Sequence, residues 1–291
     1  MSKSVLGLTG LVCLFVGMFL PAAEAQQPAA AVPPPPGVLV IFREEVKPGR
    51  VAAHAANETA WAAAYQKGGA PQQWLGMTSV AGPTEAWVLS GYASYEEFQK
   101  SEDAVEGHAT LAADSDRFSA IDGDLINRTS TIVARYLPGL SYQSGVKLPD
   151  MRYMQVDVVR VRAGFDNDFR TAWRAIAAAH TKANMDEHWA VYEVDAGAPD
   201  LTFYFMYPRK TLSEIDKSGP MHGGAAYRDA VGETGRNEQR EMFRRSLESS
   251  QTLIFKFRPA MSVLTKEWTD TDPAFWTPKP VAPVKNPPVK K

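Results

Sequence analysis

Hydrophobic and polar positions along this chain fall into short alternating runs separated by helical stretches, and the arrangement occurs in two sets. In the first set, residues 38–43 (VLVIFR) are rich in branched residues and predict a strand. Residues 51–67 place Val51, His54, Glu58, Trp61 and Tyr65 at a spacing of three to four, the period of one helix face. Residues 73–80 and 85–92 predict a hairpin turning at Ala81-Gly82-Pro83-Thr84. Ser94 caps a short helix to about Lys100, with Glu97 three residues on. A longer helix is expected over 107–126 and a closing strand over 131–137.

The second set has the same order. A strand is expected at 153–162. A helix capped by Asp166 runs to about Asn184, with Phe169, Trp173, Ile176 and His180 on one face. A hairpin of 188–195 and 201–207 turns at Gly197-Ala198-Pro199. A short helix over 211–217 precedes a long one over 224–247, weakened at Gly232 and Gly235, and 252–257 is the last strand. Further echoes tie the sets together. Trp61 and Trp173 lie 112 apart, Pro83 and Pro199 116 apart, and Thr131–Ser141 matches Thr252–Ser262 at an offset of 121. This spacing predicts an internal duplication of a unit of about 115 residues, too long for a solenoid repeat and right for a small domain.

Strand, helix, strand, strand, helix, strand is the split β-α-β ferredoxin-like order. The strands of the second set are apolar on both faces. Val156 and Val158 alternate with Asp157 and Val159; Phe203 and Phe205 with Tyr204 and Met206; Leu253, Phe255 and Phe257 with Ile254 and Lys256. A sheet apolar on both faces needs cover on both. Helices supply one cover, and the sheet of the other unit is the economical second. The fold expected is α+β: two tandem ferredoxin-like βαββαβ repeats packed sheet to sheet as an intrachain α+β barrel, at 38–148 and 149–265. A monomer or a homodimer is compatible with it.

On this element order and duplication, over about Val38 to Leu264, the chain resembles the dimeric α/β-barrel superfamily in its fused form. That group includes antibiotic-biosynthesis monooxygenases, stress-responsive barrels, NIPSNAP-like proteins and the haem enzymes chlorite dismutase and dye peroxidase. Several of its families place histidine in the turn before the second helix, where this chain has Gly107-His108 and Met221-His222-Gly223-Gly224. The His-Pro pairing of some of those families is missing.

The ends differ from the body. Lys3, the apolar run Val5–Leu20 and Ala23-Glu24-Ala25 form a secretory signal over 1–25, which predicts a secreted or periplasmic protein. Its Cys13 is the single cysteine, so the mature chain is expected to lack disulfides, thiolate nucleophiles and Cys-based metal sites. Residues 26–37 (QQPAAAVPPPPG) read as a polyproline spacer. Residues 266–291 are read as a Pro/Lys-rich disordered tail whose lysines offer contact with an anionic cell envelope. A net charge of −2 with no basic stripe argues against nucleic acid as partner. No apolar run after the signal is long enough to span a membrane.

Candidate chemistry is sparse. His222, followed by Gly223-Gly224, is the candidate catalytic residue. With His108, Tyr192, Tyr204 and His188 it makes the candidate ligand-binding set. Asp157, Glu193 and Lys256 are further polar residues within strands. An aromatic-rich second repeat with a few polar groups is the expected place for a pocket. His54 and Glu58 stand at i,i+4, a spacing that presents two metal ligands on one helix face, but no third ligand is identifiable nearby. His180 reads as a core-edge histidine. There is no dinucleotide fingerprint, phosphate loop or serine elbow, and neither a cofactor nor a metal is assigned. The function expected is binding of a small organic ligand in the barrel. The alternatives are a cofactor-free monooxygenase or isomerase, a haem protein, and a structural envelope protein.

Overall fold

The computed structural model describes residues 32–216 and 224–277. The expected signal over 1–25, the start of the spacer, His222 and the chain after residue 277 lie outside them. In chain order the elements are β1 (Val38–Val46), α1 (Val51–Gly68), β2 (Leu75–Ala81), β3 (Glu85–Tyr92), α2 (Tyr95–Glu106), α3 (Ala109–Leu125) and β4 (Ile126–Tyr136). The second half follows with β5 (Tyr153–Val161), α4 (Asp166–Lys182), β6 (Ala190–Ala196), β7 (Thr202–Arg209), α5 (Ala225–Ser246) and β8 (Leu247–Phe257). Two four-residue helices end the described chain, α6 (Lys266–Thr269) and α7 (Pro273–Trp276).

The eight strands close into one antiparallel barrel in the order β1-β3-β2-β8-β5-β7-β6-β4. Two seams join the halves: β2 on β8, with Met77 opposite Phe257, and β4 on β6, with Ala134 opposite Val194. Both seams come from the same chain, so the barrel needs no second copy to close. Closure leaves no open sheet edge. The inward residues form one core that includes Leu39, Ile41, Trp87, Val156, Tyr204 and Phe255. Trp87 packs against Phe255 at 4.5 Å between ring centroids. A charged pair enters this interior. Arg43 donates to both carboxylate oxygens of Glu85, at 2.9 and 3.0 Å, and the Trp87 indole donates to Glu85 at 2.6 Å.

Local details follow the residues. Ser94 caps α2 by accepting from the Glu97 amide. Phe165, not Asp166, occupies the cap position of α4, and Asp166 is its first helical residue, where a negative charge favours the helix start. In place of the short helix expected at 211–217, a single 3₁₀ turn (Leu212–Glu214) is held by a capping box between Thr211 and Glu214. Gly232 breaks α5 with a φ of 73°. Residues 266–277, grouped by composition with the tail, are ordered. Thr265 caps α6, Arg152 pairs with Asp272, and Trp276 is buried against the barrel core with its indole donating to the Pro149 carbonyl at 2.8 Å. Two tryptophans and a phenylalanine in this stretch provide apolar area that the Pro/Lys run beyond it lacks.

Equal offsets run through the two halves. β1 and β5 have the same length, their ladders to β4 and β8 both shift register at the eighth residue, and α1 and α4 start 115 apart. β4 and β8 start 121 apart, an offset that also carries Pro138 onto Pro259. Counted this way, Trp61 corresponds to Ile176, and Trp173 to Glu58. The echo between the two tryptophans is therefore one helical turn out of step with the elements.

Gly197 tests the second seam. It has φ +84° in the β6–β7 turn, and a Cβ there would lie 1.9 Å from the Thr131 carbonyl oxygen on β4. Gly197→Ala is expected to cost about 2 kcal/mol or more, since strain and a backbone clash add. Gly49→Ala, at φ +77° in open space, should cost about 1 kcal/mol. Thermal melts of the two variants check the difference.

Candidate functional site

The two halves treat the space between sheet and helices differently. On β7, Phe203, Phe205 and Tyr207 point away from the barrel interior, toward α4 and α5, and all three are fully buried. They join Phe169, Trp173, Trp189 and Phe243 in a continuous aromatic core; Phe205 lies 4.2 Å from Trp173 between centroids. The corresponding positions on β3 are Ala86, Val88 and Ser90. Small residues there leave a cavity of about 580 Å³ beneath α1, α2 and α3. Its walls include Phe42, Trp61, Tyr65 and Trp74, and its polar side carries Glu44, Glu58 and Asp122.

Four chemically active side chains meet at that polar side. Outward alternation on β1 brings Glu44 to the helices. The i,i+4 spacing on α1 brings His54 and Glu58 down onto it, and the last turn of α3 brings Asp122. One ligand-type atom from each of the four lies within 4.8 Å of those of the others, and all four residues are buried. His54 Nε2 is 2.9 Å from a Glu44 carboxylate oxygen and 3.9 Å from Glu58 Oε1. Asn57 donates to Asp122 Oδ1 at 2.7 Å, and the Trp61 indole donates to Asp122 Oδ2 at 3.2 Å. Glu58 is 7% exposed, and its separation from His54 is too long for a hydrogen bond. Burial, and then the charges of Glu44 and Asp122, push its carboxyl up to about 9 from an ordinary 4.5. Such a group holds its proton at neutral pH beside a cavity, where it can give or accept one.

The second half shows what these positions hold when they serve packing alone. An offset of 115 carries Glu44, His54, Asn57 and Glu58 onto Val159, Phe169, Ala172 and Trp173, and an offset of 121 carries Asp122 onto Phe243. All five belong to the buried aromatic core. Five polar residues thus occupy slots that are apolar in the other half. Burying carboxylates is costly unless they are paired or bind a cation, so the set is not interchangeable filler.

The residues singled out from sequence are dispersed. Tyr192 and Tyr204 do meet, as cross-strand partners inside the barrel, and burial raises both phenols. Tyr204 lies edge-on to Trp87 at 6.0 Å. His188 sits in the loop before β6, where Nδ1 donates to the Gln143 carbonyl at 2.8 Å. His108 stands half-buried at the N-terminus of α3. Asp157 and Glu193 point out of the barrel, accepting from Thr252 at 2.6 Å and Arg170 at 2.5 Å. His180 is buried among Tyr142, Trp189 and Tyr227; its Nδ1 donates to the Ile176 carbonyl at 2.9 Å, and burial lowers its basicity. Of the His54–Glu58 partners that sequence left unidentified, Glu44 comes from the preceding strand and Asp122 from a helix 64 positions beyond Glu58. Their one local signal is polarity on a face that is apolar in the other half.

No family model and no curated protein sequence matches the chain. Solved structures do. An anthrone oxidase-like protein aligns with a TM-score of 0.50 at 11% identity, over 79% of this chain and 94% of its own. A candidate monooxygenase from Fusobacterium nucleatum gives 0.47 at 12% identity, over 76% and 91%. A mutant chlorite dismutase from Candidatus Nitrospira defluvii gives 0.42 at 12%, over 78% and 92%. What is shared is the fold. The α+β barrel of this chain is that of the anthrone oxidase-like protein, and at such identity the likeness does not extend to side-chain chemistry. Among the described residues, no helix is long and apolar enough to cross a membrane.

Proposed function

We propose that this chain is an exported, duplicated ferredoxin-like barrel that binds a small organic ligand in the cavity of its first half. One observation carries the reading: a buried polar cluster beside an open cavity occupies positions that the second half fills with core. The walls are aromatic, from Phe42, Trp61, Tyr65 and Trp74, and the polar groups converge from one side. A ring-bearing molecule with a hydrogen-bond donor or a positive charge suits that lining. Monooxygenase-type neighbours are compatible with turnover in the same pocket, by analogy of fold alone.

The second half supplies the test. Val88→Phe and Ser90→Tyr install the residues found at the matching positions of β7. The double variant should fill the cavity, keep its melting temperature within a few degrees, and lose the hits that a fragment screen by ligand-observed NMR finds for the parent. Hits that bind the filled variant as well as the parent place the ligand elsewhere, with the Met221-His222-Gly223-Gly224 sequence the first to mutate. N-terminal sequencing of protein expressed in a secretion-competent host checks export: the expected start is near Gln26, and an intact Met1 or Ser2 contradicts it.

A further inference from the structure

We propose that Glu44, His54, Glu58 and Asp122 form a binding site for one divalent first-row metal ion, opening into the cavity of the first half. The inference deepens the pocket assignment and rests on it only for the route by which an ion and a further ligand reach the site.

Geometry comes first. Two ligand atoms about 2.1 Å from one ion stand about 3.0 Å apart at right angles and about 4.2 Å apart across it. The observed separations of 2.9 Å and 3.9 Å from His54 Nε2, with all four donor atoms inside 4.8 Å, are those of a slightly expanded ligand shell. The donors come from three elements, β1, α1 and α3, that pack around one point. Glu44 and His54 are held by each other, while the carboxylate of Glu58 is more than nine-tenths buried, makes no hydrogen bond among the described residues and faces the cavity. A buried carboxyl group without a hydrogen-bond partner is a costly arrangement that a cation, taking the place of its proton, relieves.

The surroundings fit a metal shell. Asn57 and Trp61 each donate to a different oxygen of Asp122, which fixes its orientation and leaves each oxygen a further lone pair. Once an ion displaces the Glu58 proton, three carboxylates with a neutral imidazole carry a charge of −3, which a divalent ion reduces to −1. One nitrogen and three oxygens suit Mn²⁺, Fe²⁺ or Zn²⁺ and give no preference for a soft, thiolate-seeking ion. Four protein donors leave a position toward the cavity for water or a ligand oxygen on an ion that takes five or six. The corresponding set in the second half, Val159, Phe169, Trp173 and Phe243, has no metal-ligating atoms, so one ion per chain is expected.

Titration of the chelator-treated chain tests this. Mn²⁺ followed by the loss of its free-ion EPR signal, and Zn²⁺ followed by calorimetry, should each saturate at one ion per chain. Glu58→Gln and Asp122→Asn, shown to be folded by circular dichroism, should each weaken binding by about 100-fold or more. His54→Phe, which takes the residue at the matching position of the second half, should abolish it. No saturable binding of either ion by the parent chain overturns the proposal, as does binding that Glu58→Gln and Asp122→Asn leave unchanged. The Val88→Phe/Ser90→Tyr variant separates the two readings. If it keeps the ion and loses the organic fragments, both stand; if fragments bind the parent and no ion does, the pocket stands and the metal site falls.

Discussion

Glu58→Gln should raise the melting temperature of the chelator-treated protein at pH 8 by about 5–10 °C, with the gain shrinking toward pH 5. The cause is the buried carboxyl of Glu58, pushed up to about 9 by burial and by Glu44 and Asp122. In the unfolded chain the group titrates at its ordinary 4.5. Below that value both states carry the proton and the group adds nothing unfavourable. As pH rises from about 4.5 toward 9, the unfolded state releases its proton while the folded state retains it, and stability falls throughout that window. The separation bounds the loss at about 6 kcal/mol, and access of water through the cavity reduces it to about 2–3 kcal/mol at pH 8. Glutamine keeps the shape and has no proton to lose, so its melting curve should be flatter between pH 5 and 9. A variant that melts with the same pH dependence as the parent would show that Glu58 is ionised in the folded protein. Together with the expected loss of metal binding, a stabilised Glu58→Gln would mark a residue kept at a cost in stability.

Phe205→Ala should destabilise the protein by about 3–5 kcal/mol, whereas Val88→Ala at the matching position should cost about 1 kcal/mol. Phe205 is fully buried and packed against Trp173 and Phe169. Removing its ring leaves a void walled by other rings that cannot collapse into it. Val88 is only partly buried and borders space that is already open, so its truncation enlarges a cavity and creates none. Denaturant unfolding of the two variants checks the contrast. Equal losses would mean that the first half is as tightly packed as the second, and the cavity would lose its standing as a binding site.

Much of the architecture was legible because it depends on short-range periodicity. Alternation in residues 153–162, 201–207 and 252–257 located three strands of the second half, and their apolar character on both faces called for a second cover. The helix face His54–Glu58–Tyr65 is the buried face of α1. The candidate site was harder to see. The aromatic set of the second half looked like pocket lining, yet Trp173, Trp189, Phe203 and Phe205 pack on one another. Composition does not distinguish an aromatic wall from an aromatic core. Strand parity separated other candidates: Tyr192 points into the barrel and Glu193 out of it, so neighbours in sequence face different surroundings.

The sequence by itself determined the order of elements, the helix faces and the need for a closed, two-sided sheet, since each follows from the 2.0 and 3.6 residue periods of the backbone. Tertiary structure alone decided which half is solid and which is open. That outcome depends on summed side-chain volumes across elements far apart in the chain: Phe205 and Tyr207 beneath α4 and α5, Val88 and Ser90 beneath α1 and α3. It also decided that His54 and Glu58 have partners. Glu44 lies ten positions before His54 and Asp122 lies 64 beyond Glu58. Only the packing of β1 and α3 against α1 turns three scattered carboxylates and a histidine into one buried, charge-dense site.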